Sequence, residues 1–216
     1  MADPGTLVDQ SGRPLGPRAA ETRRRLLDAT EALLAERPLR ELRVMDVARR
    51  VGTSPATFYQ YFEDLEDAAL RLAERAADEM PAIVAEIRGA WDDDALARAR
   101  RIVEATIAHW DAHRAVLRVR NLRSEEGDPR FIALRRRVHG PVIEAFADAV
   151  RHAQRAGRVA AAVHPGAAGA ALAAILERLA AYHAELRAFG VTREHLVETT
   201  ARIVARTVTG PPASAA

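Results

Sequence analysis

Apolar positions recur at helical spacing along almost the whole chain, and no stretch shows the two-residue alternation of a half-buried strand. Leu26, Leu27, Thr30, Leu33 and Leu34 share one face of a first helix, which Pro38 ends. A short second helix carries Val44, Val47, Ala48 and Val51, with Gly52 closing it. Ser54 followed by Pro55 reads as a cap and a first-turn proline, so a third helix is predicted from Ser54 to about Tyr61. A fourth is expected from Asp64 toward Arg88, kinked at Pro81. The run Asp92, Asp93, Asp94 caps a fifth that ends at Trp110, and a sixth follows from Asp111 to Ser124. The seventh extends from Pro129 to about Ala156, interrupted at Gly140 and Pro141. An eighth runs from Pro165 to near Gly190, and Thr192 caps a ninth that carries Leu196, Ile203, Val204 and Val208. The expected fold is all-α, about nine helices and no sheet.

Two short helices joined by a Gly-containing turn at 43–62 suggest a helix-turn-helix. Val47 and Val51 lie one turn apart and face inward, and Ala48 is small where steeply crossing helices approach. Phe58 and Tyr61 fall on one face of the following helix, which leaves Pro55, Ala56, Tyr59 and Gln60 on the other. That N-terminal half carries base contacts when such a helix enters a major groove. Phe58, Tyr59, Tyr61 and Phe62 cannot all point inward on one helix. Phe58 and Phe62 are read as core, and Tyr59 as the exposed ring, suited to a phosphate or a thymine methyl.

Composition then limits the function classes. The chain has 216 residues, 49% of them hydrophobic, enough to bury a sizeable core. All 32 basic residues are arginine, against 30 acids, for a net charge of +2. The sequence pI of 9.6 overstates the basicity. Without lysine, almost nothing loses a proton between neutrality and the tyrosine range. The surplus is local: residues 1–62 hold 10 Arg and 8 acids, while 63–216 hold 22 of each. Absence of Cys excludes disulfides and thiolate metal sites. The first 17 residues lack the apolar core of a signal peptide, and the most apolar window, Val159 to Leu176, is broken by His164, Pro165, Gly166 and Gly169. A cytoplasmic protein with no membrane partner is expected. His109 and His113 have the spacing of helix-borne metal ligands, but the sequence offers no third ligand, so no metal and no cofactor is expected. Neither a Gly-rich phosphate loop nor a nucleophile motif is present, and catalysis is not expected.

The segment Val44-Met45-Asp46-Val47-Ala48-Arg49-Arg50-Val51-Gly52-Thr53-Ser54-Pro55-Ala56-Thr57-Phe58-Tyr59-Gln60-Tyr61-Phe62 resembles the helix-turn-helix of the tetracycline-repressor (TetR) family. Glu21 to Glu36 resembles the family's first helix, and the nine-helix layout extends the resemblance over about 18–209. It implies a lead-in at 1–17, a three-helix DNA-binding domain at 18–63, a helical effector-binding and dimerisation domain at 64–209, and a tail at 210–216. The residues it places at DNA are Arg43, Met45, Ser54, Pro55, Ala56, Thr57, Tyr59, Gln60 and Tyr61. Two departures stand out. Arg43 occupies a position where the family often has Thr, which removes a cap and adds a cation. Leu65, within an acidic run, stands where the family commonly has Lys.

The resemblance further implies a homodimer that reads a palindromic operator in double-stranded DNA and is released by a small, apolar effector. Its dimer face is placed on Leu172, Ile175, Leu176, Leu179, Leu196, Ile203 and Val204, with the Ala and Gly of 166–174 allowing close helix approach. Its effector pocket is placed among Trp110, Leu117, Phe131, Phe146 and Tyr182. The competing reading is an all-helical small-molecule carrier or enzyme whose helix-turn-helix-like motif is incidental. A third is an interaction module that uses the last two helices as its surface.

Overall fold

The computed structural model describes residues 10, 12–91 and 94–210, so most of the lead-in and tail segments, and Asp92 and Asp93, lie outside the described residues. Among those described there are nine α-helices and no β-strand: α1 (Pro17–Glu36), α2 (Val44–Val51), α3 (Pro55–Tyr59), α4 (Leu65–Ala77), α5 (Met80–Arg88), α6 (Ala95–Glu125), α7 (Pro129–Arg155), α8 (Pro165–Tyr182) and α9 (Arg193–Thr209). Short 3-10 turns span Leu39–Glu41 and Glu185–Phe189. Among the described residues no helix is long and apolar enough to cross a membrane.

Helix boundaries differ from the sequence reading in several places. The expected fourth helix is two, because Pro81 sits in the first turn of a new helix instead of kinking an old one. The expected fifth and sixth helices lie within α6, which is kinked at His113 (φ −118°, ψ 17°), so the break between them stands a few residues later than Trp110 and Asp111. The Asp111 carboxylate lies 3.4 Å from His183 Nε2 and 3.3 Å from an Arg193 guanidinium nitrogen. Pro141 lies within a continuous α7. The α8 helix stops at Tyr182, earlier than expected, and a 3-10 turn leads to Gly190.

The chain divides into two compact units, Met1–Ala76 with Arg114–Ala133, and Ala77–His113 with Leu134–Ala216. In the first, α1 packs on α2 and α2 on α3 around the fully buried Leu26, Val47, Phe58 and Phe62. In the second, α8 packs on α9, and Ile102, Ile107, Phe146, Leu172 and Val204 are buried. Gly169 permits a close contact there: a Cβ at this position would stand 2.3 Å from the Ile143 carbonyl oxygen of α7. Its missing side chain therefore serves packing within the chain. Bidentate ion pairing of Arg100 with Glu198, at 2.7 and 3.1 Å, ties α6 to α9.

Candidate functional site

Local chemistry builds the helix-turn-helix. Arg43 cannot cap α2 with its side chain, yet its backbone N–H donates to Asp46 Oδ2 at 3.0 Å. Half of a capping box thus survives the departure from Thr, and Arg37 pairs with the same carboxylate at 3.0 Å. At the other end Gly52 adopts a left-handed conformation (φ 75°, ψ 39°). The Thr53 N–H then reaches the Ala48 carbonyl at 2.9 Å, closing the helix. Ser54 Oγ accepts the Thr57 N–H at 3.2 Å and starts α3, with Pro55 in its first turn. Hydrogen bonds from Tyr61 and Phe62 N–H to the Phe58 carbonyl carry the turn beyond Tyr59.

The buried face of α3 is Phe58, whose ring lies edge-on to Tyr59 and 5.2 Å from Phe62. Its outer face holds the exposed Ser54, Pro55, Ala56, Tyr59 and Gln60, with Thr57 and Tyr61 half-buried. Arg43 and Met45 are exposed at the start of α2. Tyr59 and Met45 are 53% and 52% exposed.

Electrostatics around this face are sparse. Arg24 pairs with Glu21 and Asp28, Arg50 with Glu36, and Arg25 donates to the Val51 carbonyl at 2.7 Å. Arg23 lies over the Phe62 ring at 5.2 Å. Among the described residues Arg18, Arg43 and Arg49 carry no ion pair. The acidic run around Leu65 is largely structural. Asp64 caps α4 through the Asp67 N–H at 2.6 Å, and the buried Asp67 accepts the Glu63 N–H at 3.2 Å and pairs with Arg71. Glu66 pairs with Arg123. Gln10 joins this region from the chain's start, its amide bonded to the Tyr61 carbonyl at 3.2 Å and its N–H to that of Gln60 at 3.1 Å. Leu65 itself is buried, which no lysine would be.

The remaining candidates divide. Leu117 and Phe131 are buried in the first unit, Trp110 and Phe146 in the second. Trp110 Nε1 is buried without a hydrogen-bond partner among the described residues. Tyr182 departs from the pocket assignment: it is 43% exposed, with the Arg178 guanidinium 3.9 Å above its ring. Of the expected dimer residues, Leu172, Leu176, Leu196 and Val204 are buried within the chain itself, where α8 and α9 meet their own core. Ile175 and Leu179 are half-buried and Ile203 is 43% exposed, so only these three have surface to offer a second copy. Within the first unit, an open cleft of about 530 Å³ is lined by Asp64, Glu66, Arg123, Glu126, Asp128 and Arg130. Its charged walls do not suit an apolar effector.

Sequence reading also missed Glu79. Placed just before α5, it brings its carboxylate to His109 and His113 on α6, some 30 residues away. Hydrogen bonding with His113 holds the Glu79 carboxyl below its ordinary range. Nothing local in the sequence announces this meeting.

Residues 26–72 match the family model described as bacterial regulatory proteins, tetR family, and residues 82–215 match the tetracyclin repressor-like C-terminal domain. A curated HTH-type transcriptional regulator of Haemophilus influenzae is 37% identical over 57 residues, 26% of this chain and 28% of that protein. The chain thus spans about a quarter of that relative's length. A TetR-family transcriptional regulator from Syntrophomonas wolfei superposes with a TM-score of 0.64 at 17% identity, over 91% of this chain and 99% of that one. The regulator FadR from Bacillus subtilis, in complex with stearoyl-CoA, gives 0.62 at 13% identity, over 87% and 98%. At these identities the two structures show likeness of fold. The C-terminal match alone covers more than half of the chain, and with the N-terminal match it establishes that the protein belongs to the tetR family of bacterial transcriptional regulators.

Proposed function

We propose that this regulator works as a homodimeric repressor in the cytoplasm, bound to a palindromic operator and released by a small molecule with a substantial apolar part. The observation that carries the DNA-binding reading is the outer face of α3: Pro55, Ala56, Tyr59 and Gln60 are exposed over a core fixed by Phe58 and Phe62. A rigid, short helix with its polar and aromatic tips outward fits the major groove, and Arg43 with Arg49 supplies phosphate contacts. Two copies would place these helices about 34–36 Å apart, one turn of DNA, which is why the operator should be palindromic. Ile175, Leu179 and Ile203 are the residues proposed to meet a second copy.

The effector reading takes Trp110 and Phe146 of the second unit as its candidate contacts, and is supported by the FadR relative's complex with stearoyl-CoA. The unpartnered Trp110 Nε1 favours an effector that also carries a hydrogen-bond acceptor. Release requires that the effector bind one conformation better than the other. The carrier or enzyme alternative is not favoured, since both parts of the chain match regulator models.

Fluorescence anisotropy with duplexes tiled across the DNA upstream of the protein's own gene tests the reading. One palindromic duplex should bind at least a thousandfold more tightly than scrambled sequence, and long-chain acyl compounds should lower that affinity. Equal affinity for every duplex at physiological salt would overturn it.

A further inference from the structure

We propose that Glu79, His109 and His113 form a binding site for a divalent transition-metal cation of the zinc type. The inference does not depend on the function proposed above. His109 Nδ1 lies 3.3 Å from Glu79 Oε2, and His113 Nε2 lies 2.9 Å from Glu79 Oε1. One ligand atom from each residue falls within 4.8 Å of the other two. Ligands bound at about 2.0–2.1 Å on a zinc tetrahedron stand about 3.3–3.4 Å apart. The His109 spacing matches that value, the His113 spacing is shorter and runs to the other carboxylate oxygen, and small side-chain rotations would bring the three groups around one ion.

The ligand chemistry selects the metal. Two imidazole nitrogens and one carboxylate suit Zn²⁺, Co²⁺ or Ni²⁺, while Mg²⁺ and Ca²⁺ favour all-oxygen sets. The site is also held and accessible. The side chains of His109 and His113 are only 9% and 19% exposed and their rings stand 5.0 Å apart, so the packing around them holds them in place. Glu79 is 57% exposed, which gives an ion a path from solvent and leaves a fourth position for water.

The backbone adds an independent observation. His113 is the non-helical residue of α6, in the sparsely populated bridge region where functional residues are often found. Its departure from helical geometry alters the fixed i, i+4 relation to His109. A cation held by both rings and by Glu79 would tie α5 to this point of α6.

Calorimetric titration of the full-length, chelator-treated protein with ZnCl₂ tests the site, with Co²⁺ absorption as a spectroscopic check. The expected result is one Zn²⁺ per chain, a visible Co²⁺ band of a four-coordinate site, and no displacement by millimolar Mg²⁺. Glu79→Gln, His109→Gln and His113→Gln should each weaken binding at least tenfold and abolish the band, whereas Glu144→Gln on α7 should leave both unchanged. Glu79 is exposed, so its variant folds and keeps the test valid if a histidine variant does not. Absence of saturable one-to-one binding up to 100 µM Zn²⁺, or equal affinity in the wild type and Glu79→Gln, would overturn the proposal.

Discussion

Operator affinity should fall only moderately with salt, because few arginines near α3 are available to phosphate. Seven arginines surround the motif: Arg18, Arg23, Arg24, Arg25, Arg43, Arg49 and Arg50. Ion pairs hold Arg24 and Arg50, the Val51 carbonyl holds Arg25, and Arg23 rests on Phe62. Arg18, Arg43 and Arg49 remain, so a dimer would neutralise about six phosphates, giving a slope of log affinity against log salt of about −5. Between 50 and 200 mM salt the affinity should then drop about a thousandfold. If all seven acted on each half-site, the slope would be about −13 and the loss several tens of millionfold. Replacing Arg43 and Arg49 together with Ala should reduce the slope to about −2. Anisotropy titrations at four salt concentrations measure both. A wild-type slope steeper than about −9, or a double variant with an unchanged slope, would refute the assignment of free and engaged arginines.

Other expectations concern single side chains. Tyr59→Ala should cost about 1–3 kcal/mol of operator binding in the same assay while leaving the urea midpoint nearly unchanged, since the ring is more than half exposed. Gly169→Ala should destabilise the fold by about 1–3 kcal/mol in chemical denaturation, because its Cβ meets the backbone of α7 and neither side can turn aside. Asp128→Asn isolates a charge effect. Arg130 holds the Asp128 carboxyl below its ordinary range, through its guanidinium first and its backbone N–H second. A depressed folded pKa gives stability that is complete above the unfolded value of about 3.9 and is lost as pH falls through the folded value. The variant should therefore be less stable than wild type at pH 7, by up to about 1 kcal/mol for a partly exposed pair, and the difference should vanish in strong acid. A pH-independent gap in denaturation midpoints would count against it.

Much of this protein was legible in its sequence, for a physical reason. Helix periodicity, the Ser54 and Thr192 caps, and the Gly52 stop all act through bonds between residues a few positions apart. The exposed Tyr59 followed likewise, since one helix cannot turn four neighbouring rings inward. What the sequence left open concerns partners distant along the chain. Asp111 reads as the start of a helix, yet the kink of α6 falls at His113, and Asp111 pairs with the distant His183 and Arg193. An apolar stripe on α8 does not say whether it faces α9 or a second copy; burial assigns Leu172 and Leu176 to the chain's own core and leaves Ile175 and Leu179 partly outside. Among the small residues expected to allow close helix approach, Gly169 is used within the chain, where α8 meets the backbone of α7. His109 and His113 lacked a third ligand in sequence, and Glu79 supplies it. Local hydrogen bonding and side-chain periodicity are written into neighbouring residues. The pairing of charges and the choice of packing partner depend on which surfaces the folded chain brings within a few ångströms, and only the tertiary structure decides that.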